Sequence, residues 1–184
     1  MKIVGVDLAA SEKNPTGICV FEDWRTRCIT VKSDEEIVES IQKEAPDLVV
    51  VDAPLGTSEG PWRDGEEALI KRGKRPLPLT MESMRALAER AERLRKRWKV
   101  KTIETFPSAF RPKILDVKMV RKVLGIHNRH ERDALLCALV GRRYYHGGIQ
   151  KLGKEHPIYI ITEEAAKKDA LKIYENMKGE KEGQ

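Results

Sequence analysis

The feature that most constrains the fold is an apolar strand at residues 48–51, Leu-Val-Val-Val, which follows an amphipathic helix and is followed by Asp52. A strand that is apolar on both faces needs cover on both sides, which is typical of parallel strands beneath helices. A similar run opens the chain at residues 3–8 and is apolar except for Asp7 near its end. Together the two runs predict an α/β protein with both strands in one central sheet.

Turn and capping signals give the order of the other elements in the first half. Residues 14–17, Asn-Pro-Thr-Gly, are typical of a turn. Ser33 with Glu36 three residues later forms a capping box, and Pro46 ends the helix that the box begins. The predicted elements are strands at 3–8, 18–21, 28–31 and 48–51, a hairpin turn at 22–26 and a helix at 34–43. This order is strand, hairpin, helix, strand.

The second half begins with an irregular stretch at 53–78, rich in Gly and Pro. Asn128 and Glu131 form a second capping signal, which begins an apolar helix that Gly147 ends. The predicted elements are helices near 64–71, 81–99, 129–145 and 163–177, a broken helical region at 109–123, and strands at 100–105, 149–152 and 158–161. We expect one domain over 1–184, with a core at about 2–145, a C-terminal hairpin and helix at about 149–177, and a frayed tail at 178–184.

Composition excludes several classes of protein. With 35% charged and 40% hydrophobic residues among 184, the chain is neither a disordered tail nor a membrane protein. It has no signal-peptide pattern and no apolar run of the roughly 18–20 residues that span a bilayer, so we expect a soluble cytoplasmic protein with no membrane partner. Three widely spaced Cys exclude a disulfide framework and a zinc ribbon. The scarcity of Asn and Gln beside many charged residues is typical of thermophilic proteins.

The net charge of +6 is concentrated in one segment. Residues 63–99 contain twelve Lys or Arg and six Asp or Glu, which accounts for the whole excess. Such a segment is typical either of a site for a polyanion or of a solvated helix face, and charge alone leaves both open. Cations beside an aromatic residue in an irregular loop favour a single-stranded nucleic acid. The candidate contacts are Trp62, Lys71, Arg72, Lys74, Arg75 and Arg85.

Four carboxylates lie at or beside buried elements: Asp7, Asp52, Glu104 and Asp133. Each has a local explanation: a turn cap for Asp7, an Asx turn for Asp52, a solvent-facing strand position or an Arg partner for Glu104, and a favourable helix N-terminus for Asp133. Together they would repel one another without a cation between them. Oxygen ligands suit Mg²⁺ or Mn²⁺, and two such ions about 3.5–4 Å apart promote phosphodiester cleavage. The acids therefore predict a metal site, with two ions, for phosphodiester hydrolysis.

Four short motifs carry a resemblance to a known superfamily. They are Gly5-Val6-Asp7, Asp52-Ala53-Pro54-Leu55-Gly56, Glu104-Thr105-Phe106-Pro107 and His130-x-x-Asp133-Ala134. Over residues 2–145 the chain resembles predicted nucleases of the ribonuclease H-like superfamily that are related to Holliday-junction resolvases. The resemblance implies a mixed five-stranded sheet flanked by helices, and metal-dependent hydrolysis of nucleic acid.

The resemblance also implies roles for individual residues. Asp7 matches the first-strand acid, Asp52 the acid after the fourth strand, Glu104 the acid of a Glu-x-x-Pro segment and Asp133 the acid of the last core helix. The sequence departs from the resolvases at Leu136, where they carry a second acid three residues after the first. This departure argues against junction resolution in particular.

His130 lies three residues before Asp133, so the two share a helix face. It is either a residue of the capping turn or a catalytic residue that orders a phosphate or moves a proton. The sequence thus predicts a metal-dependent nuclease, with single-stranded DNA favoured and RNA as the alternative substrate. The rival functions are a non-catalytic nucleic-acid-binding protein and an actin-like or sugar-kinase-like ATP-binding protein, though the latter needs a second lobe and glycine-rich loops. The C-terminal hairpin and helix are candidates for a homo-oligomer interface.

Overall fold

The computed structural model describes residues 1–182, which form one mixed sheet with helices on both faces. The strands are β1 (Lys2–Asp7), β2 (Thr16–Glu22), β3 (Arg25–Val31), β4 (Leu48–Val51), β5 (Thr102–Thr105), β6 (Gln150–Leu152) and β7 (Ile158–Ile160). The helices are α1 (Asp34–Glu44), α2 (Asp64–Lys71), α3 (Glu82–Trp98), α4 (Lys118–Leu124), α5 (Arg129–His146) and α6 (Glu163–Glu182), with 3₁₀ turns at Pro107–Ala109 and Lys113–Asp116.

The strand order in the sheet is β3-β2-β1-β4-β5-β7-β6. The two hairpins, β2–β3 and β6–β7, and the β1–β2 pair are antiparallel, whereas β1–β4, β4–β5 and β5–β7 are parallel. The predicted α/β class and the parallel pairing of the two apolar strands are therefore confirmed. Ser33 caps α1 through the predicted capping box with Glu36.

The sheet has seven strands, whereas the sequence predicted five with a C-terminal hairpin and helix as an extension. The hairpin forms as predicted, but β7 also pairs in parallel with β5, with Glu104 opposite Ile158 and Thr105 opposite Tyr159. The hairpin therefore extends the main sheet to seven strands. Residues 178–182, predicted to be frayed, continue α6, and residues 183 and 184 of that predicted tail lie outside the described residues.

Each face of the sheet has its own apolar core. Val4, Val6, Val49 and Val51 pack against α1 and α3 on one face, and Ile3, Cys19 and Val50 pack beneath α5 on the other. All three Cys are buried and free, as expected for small apolar core residues. No helix within residues 1–182 is long and apolar enough to cross a bilayer.

Helix α5 lies unusually close to the sheet because glycines face it. A Cβ on Gly5 of β1 would lie 2.0 Å from the carbonyl oxygen of Ala134, and one on Gly17 of β2 would lie 2.1 Å from that of His130. Such distances are far inside van der Waals contact, so only glycine allows this approach. The backbone of α5 is thereby held directly over the ends of β1 and β2.

One of the twelve cations counted in residues 63–99, Arg90 of α3, is buried. The side chain of Arg90 donates to Asp34 Oδ1 (2.8 Å) and to the carbonyl oxygens of Ala9 (2.7 Å) and Lys32 (2.8 Å). It therefore joins α3 to the start of α1 and to the loop after β1. This arginine balances a buried carboxylate and is withdrawn from any surface that binds a polyanion.

The C-terminal hairpin also fixes the position of α2. The Asp64 carboxylate at the start of α2 accepts the backbone N–H groups of Lys154, Glu155 (2.9 Å) and His156 (3.0 Å). These N–H donors lower the pKa of Asp64 to about 2, although burial alone would raise it. The loop between β6 and β7 therefore holds α2, the helix that leads into the cations at residues 71–75.

Candidate active site

Asp7 and Asp52 lie side by side at one edge of the sheet. Val6 of β1 is opposite Val51 of β4, and the N–H of Asp52 donates to the Val6 carbonyl oxygen at 2.9 Å. Side chains alternate along a strand, so Asp7 faces α5 as Gly5 does, and Asp52 faces α5 as Val50 does. The predicted meeting of these two acids at strand ends follows from this register.

Helix α5 brings His130 and Asp133 over the two strand-end acids. Asn128 begins the helix by accepting the N–H groups of His130 (2.9 Å) and Glu131 (3.0 Å). His130 Nδ1 lies 2.7 Å from Asp7 Oδ2. The first turn of α5 therefore contains the predicted cap and also places His130 beside one of the acids, as predicted.

The electrostatics of Asp7 and Asp52 reflect this crowding. Burial raises the pKa of Asp7, and the charge of Asp133 adds to the rise, while the His130 hydrogen bond opposes it. Burial also raises the pKa of Asp52 well above its usual range, and the charges of Asp7 and Asp133 add to this effect. Asp52 is half-buried, so its carboxylate is accessible from one side. A carboxylate held among like charges is a favourable position for a cation.

Asp133 has cations as partners. Arg111, between the two 3₁₀ turns, donates from Nε to Oδ1 (3.1 Å) and from Nη2 to Oδ2 (2.8 Å). Arg132 Nε donates to the same Oδ1 at 3.1 Å, while its Nη1 pairs with Asp116 at 2.6 Å. Asp133 is therefore neutralised by two arginines that the sequence analysis did not single out.

Stability is expected to fall with rising pH because of Asp52. A carboxyl group whose pKa is raised by folding binds its proton more tightly in the folded state, so raising the pH above about 4 destabilises the protein. In EDTA, Asp52→Asn should have a higher free energy of unfolding than the wild type at pH 7. The difference between the two proteins should vanish near pH 4 and grow with rising pH by up to ~1.4 kcal/mol per pH unit. Urea denaturation at pH 4–8 measures this difference.

The matched control for this measurement is Asp23→Asn. Asp23 lies in the β2–β3 turn at φ 49°, a conformation that Asn tolerates well. This variant should follow the wild type across the pH range. A parallel pH dependence for Asp52→Asn and the wild type would contradict the raised pKa.

Glu104 is paired with Arg63 and is not free beside Asp7, Asp52 and Asp133, although its charge helps to raise the pKa of Asp52. It is opposite Val51 in the sheet, one residue before the level of Asp52, so its side chain points to the other face. There Arg63 binds both of its oxygens, at 3.0 and 2.5 Å, and the Leu55 N–H donates to Oε2 at 2.8 Å. Burial nevertheless raises the pKa of Glu104 to about 7. The carboxylate is satisfied within the protein.

The basic segment, residues 71–75, leads toward Asp52. Lys71, Arg72 and Arg75 are exposed and Lys74 is half-buried. The next residues, Pro76 and Leu77, line a cavity of about 60 Å³ together with Asp52 and Thr105. The predicted phosphate contacts are therefore exposed cations on a segment that ends beside a candidate ligand.

The other two predicted nucleic-acid contacts, Arg85 and Trp62, are less well placed to bind a nucleic acid. Arg85 is exposed on the first turns of α3, and its Nη2 donates to the Thr80 carbonyl oxygen at 3.1 Å. Trp62 is half-buried, and within the described part of the chain its ring joins no aromatic or cation–π pair. Base stacking on Trp62 stays a prediction.

The three aspartates provide the type of ligand that a hard divalent ion prefers, but their side chains do not form a complete coordination site. Asp7, Asp52 and Asp133 offer only carboxylate oxygens, the ligands that Mg²⁺ and Mn²⁺ prefer. In residues 1–182, however, no three His, Cys, Asp or Glu side chains are already disposed around one ion position. His130 and the two arginines hold oxygens of Asp7 and Asp133 instead. A bound ion would compete with those partners for the same carboxylates.

Comparison with known proteins gives structural similarity and no sequence family. No family model and no curated protein matches the chain. Two solved structures of RuvC from Thermus thermophilus are similar to it, each covering 80% of this chain and 97% of RuvC. The one in complex with a Holliday junction substrate is 18% identical with a TM-score of 0.48, and the other is 16% identical with a TM-score of 0.49.

The chain is thus structurally similar to RuvC at low sequence identity. At these identities and TM-scores, the function has to be argued from the residues of the site itself.

Two residues of the site carried weak signals in the sequence. Arg111 is the only basic residue between the Glu104 motif and Pro112, and it lies directly beside Phe110, a buried aromatic. Arg63 precedes Glu66 by three residues at the start of a predicted helix, the spacing of an ion pair on one helix face. Neither pattern identifies which distant carboxylate the arginine meets.

Proposed function

We propose that this protein is a divalent-metal-dependent nuclease that hydrolyses phosphodiester bonds, with single-stranded DNA as the favoured substrate. The observation that carries the proposal is the half-buried Asp52 carboxylate, whose pKa is raised well above its usual range by burial and by the charges of Asp7 and Asp133. Three buried elements bring these acids together at a cost in electrostatic repulsion. A bound cation offsets that cost.

The proposed ligands are Asp7, Asp52 and Asp133. Mg²⁺ or Mn²⁺ held there would stabilise the charge that develops on a phosphodiester and would activate a water molecule. Glu104 stays outside this ligand set, because it points to the other face and is bound by Arg63. Its proposed role is to hold the Asp52–Leu55 loop through the Leu55 N–H.

His130 is proposed to hold a proton at Nδ1 against Asp7 Oδ2, which fixes the orientation of that carboxylate. Its ring also lines a cleft of about 350 Å³ beside Asp7, with the exposed Arg129 at its edge. Arg129 is suited to bind a neighbouring phosphate of the strand. We propose that the substrate strand passes from the basic segment, across the three acids, into this cleft.

The test is a cleavage assay on labelled single- and double-stranded DNA and RNA, with Mg²⁺, Mn²⁺ or EDTA. We expect metal-dependent cleavage that is fastest on single-stranded DNA, is stopped by EDTA and returns with excess metal. Absence of cleavage on every substrate, together with no Mn²⁺ binding by calorimetry, would instead support the non-catalytic nucleic-acid-binding protein.

The basic segment is expected to supply phosphate contacts without sequence preference. Replacing Lys71, Arg72, Lys74 and Arg75 together by Gln should weaken single-strand binding and reduce the slope of log K against log salt by about 3, since each phosphate contact contributes about 0.7. Fluorescence anisotropy with a labelled oligonucleotide at several salt concentrations measures the slope. Lys167 and Lys168 on α6 are exposed, and their double Gln variant is the control. Equal slopes for the quadruple variant and the wild type would contradict the assignment.

A further inference from the structure

Arg111 is a cation of the site whose charge acts on Asp7, Asp52 and Asp133 alike. Its backbone lies between the 3₁₀ turns, with Phe110 and Pro112 on either side both buried. Its guanidinium forms a fork onto both oxygens of Asp133, at 3.1 and 2.8 Å, and its charge also lowers the pKa values of Asp7 and Asp52 against the effect of burial. One arginine thus supplies positive charge to all three proposed ligands.

Arg111 differs from Arg132, the other partner of Asp133, in how firmly it is held. Arg132 is also paired with Asp116 at 2.6 Å, so it is anchored at both ends of its guanidinium. Within the described residues, Asp133 is the one anionic partner of Arg111, whose side chain is 33% exposed. The side chain can therefore leave Asp133 for solvent without breaking another ion pair.

The two arginines together occupy the oxygens of Asp133 that a divalent ion would need. Oδ2 accepts from Arg111 alone, whereas Oδ1 accepts from both arginines. A guanidinium and a metal ion cannot bind one carboxylate oxygen in the same direction, and their positive charges repel each other. Metal binding through Asp133 is therefore opposed by Arg111 in its present position.

We propose that Arg111 is a displaceable counter-ion, which neutralises the acid cluster in the metal-free protein and competes with the divalent ion for Asp133. This inference rests on the proposed metal site. It makes Arg111 a positioning residue that lowers the metal affinity and stabilises the metal-free fold. A purely structural arginine would contribute to stability without changing the metal affinity.

Calorimetric titration of the full chain with MnCl₂ tests this competition. Arg111→Gln should bind Mn²⁺ about tenfold more tightly than the wild type, because the competing charge-assisted bonds are gone. Arg111→Lys, which keeps the charge but loses the fork, should bind with intermediate affinity. Lys118→Gln removes one exposed positive charge seven residues away and should leave the affinity unchanged.

Thermal unfolding supplies a second readout that does not depend on activity. In EDTA, Arg111→Gln should melt at a lower temperature than the wild type, because Asp133 then faces Asp7 and Asp52 with Arg132 alone. Saturating Mn²⁺ should remove most of this difference. A loss of melting temperature that is equal with and without Mn²⁺, or an affinity that is unchanged or weaker, would overturn the inference.

The failure of the inference and the failure of the proposed function give different results. If the wild type binds Mn²⁺, Asp52→Asn abolishes that binding and Arg111→Gln has no effect, only the counter-ion role is wrong. If neither the wild type nor Arg111→Gln binds Mn²⁺, the metal site and the counter-ion role are both wrong. Binding by Arg111→Gln that is undetectable in the wild type would support the competition directly.

Discussion

Replacement of Asp7 by Asn is expected to lower metal-dependent cleavage at least ~10³-fold while the fold persists. The variant keeps the size of the side chain and an oxygen for His130, but it removes one of three carboxylates proposed to hold the ion. A metal ion contributes several kcal/mol to a phosphodiester transition state, and each 1.4 kcal/mol corresponds to about tenfold in rate. Single-turnover cleavage of a labelled oligonucleotide measures the loss, and circular dichroism checks the fold.

Asp52→Asn should cause a loss of similar size, and it should also raise stability in EDTA, as its raised pKa requires. The combination of lower activity with higher stability distinguishes a ligand from a residue that supports the fold. Asp23→Asn, in the turn at the other end of the sheet, should keep full activity. Undiminished cleavage by Asp7→Asn would remove the basis for the proposed metal site.

The second large effect is expected at Arg63, where the free energy of unfolding should fall by about 3–5 kcal/mol on replacement by Met. Arg63 is buried between two buried carboxylates, Glu66 and Glu104, and binds both. Burial alone would lower its pKa, but these two partners raise it. Removal of the guanidinium leaves two buried carboxylates without their cation, which is far more costly than the loss of an exposed ion pair.

Urea denaturation at pH 7 measures this loss. Arg85→Met is the control, because Arg85 is exposed and its replacement should change the free energy by no more than about 0.5 kcal/mol. The triple variant Arg63→Met, Glu66→Gln, Glu104→Gln should recover part of the stability, since it removes the unpaired charges as well. A loss below about 1 kcal/mol for Arg63→Met would show that the two carboxylates take up protons or water at little cost.

The elements that the sequence predicted best are those whose signals are local. Leu48–Val51 and Asp64–Lys71 were predicted with the bounds that the structure has. Apolar runs and capping residues act within a few positions, so they can be read from one segment. The meeting of Asp7 and Asp52 was also predictable, because parallel strands place their carboxyl ends at one edge.

What the sequence could not supply is the register between distant segments. Glu104 lies in a strand beside β4, as expected, but a shift of one residue decides which face a side chain takes. The pairing of β7 with β5 depends in the same way on contacts between residues 54 positions apart in the chain. Arg90 is different, because its spacing of three from Leu87 and four from Leu94 places it beside the apolar stripe, and that signal was available.

The anchoring of α2 by the β6–β7 loop has a consequence for how the chain can be divided. All the proposed ligands precede residue 134, yet the helix that leads into the basic segment is held by backbone donors at 154–156. Removal of the residues after α5 would therefore leave the three acids in the chain but would release α2 and the exposed cations that follow it. The residues proposed for metal binding and those proposed for substrate binding therefore depend on different parts of the chain, and the loop between the last two strands fixes the position of the second group.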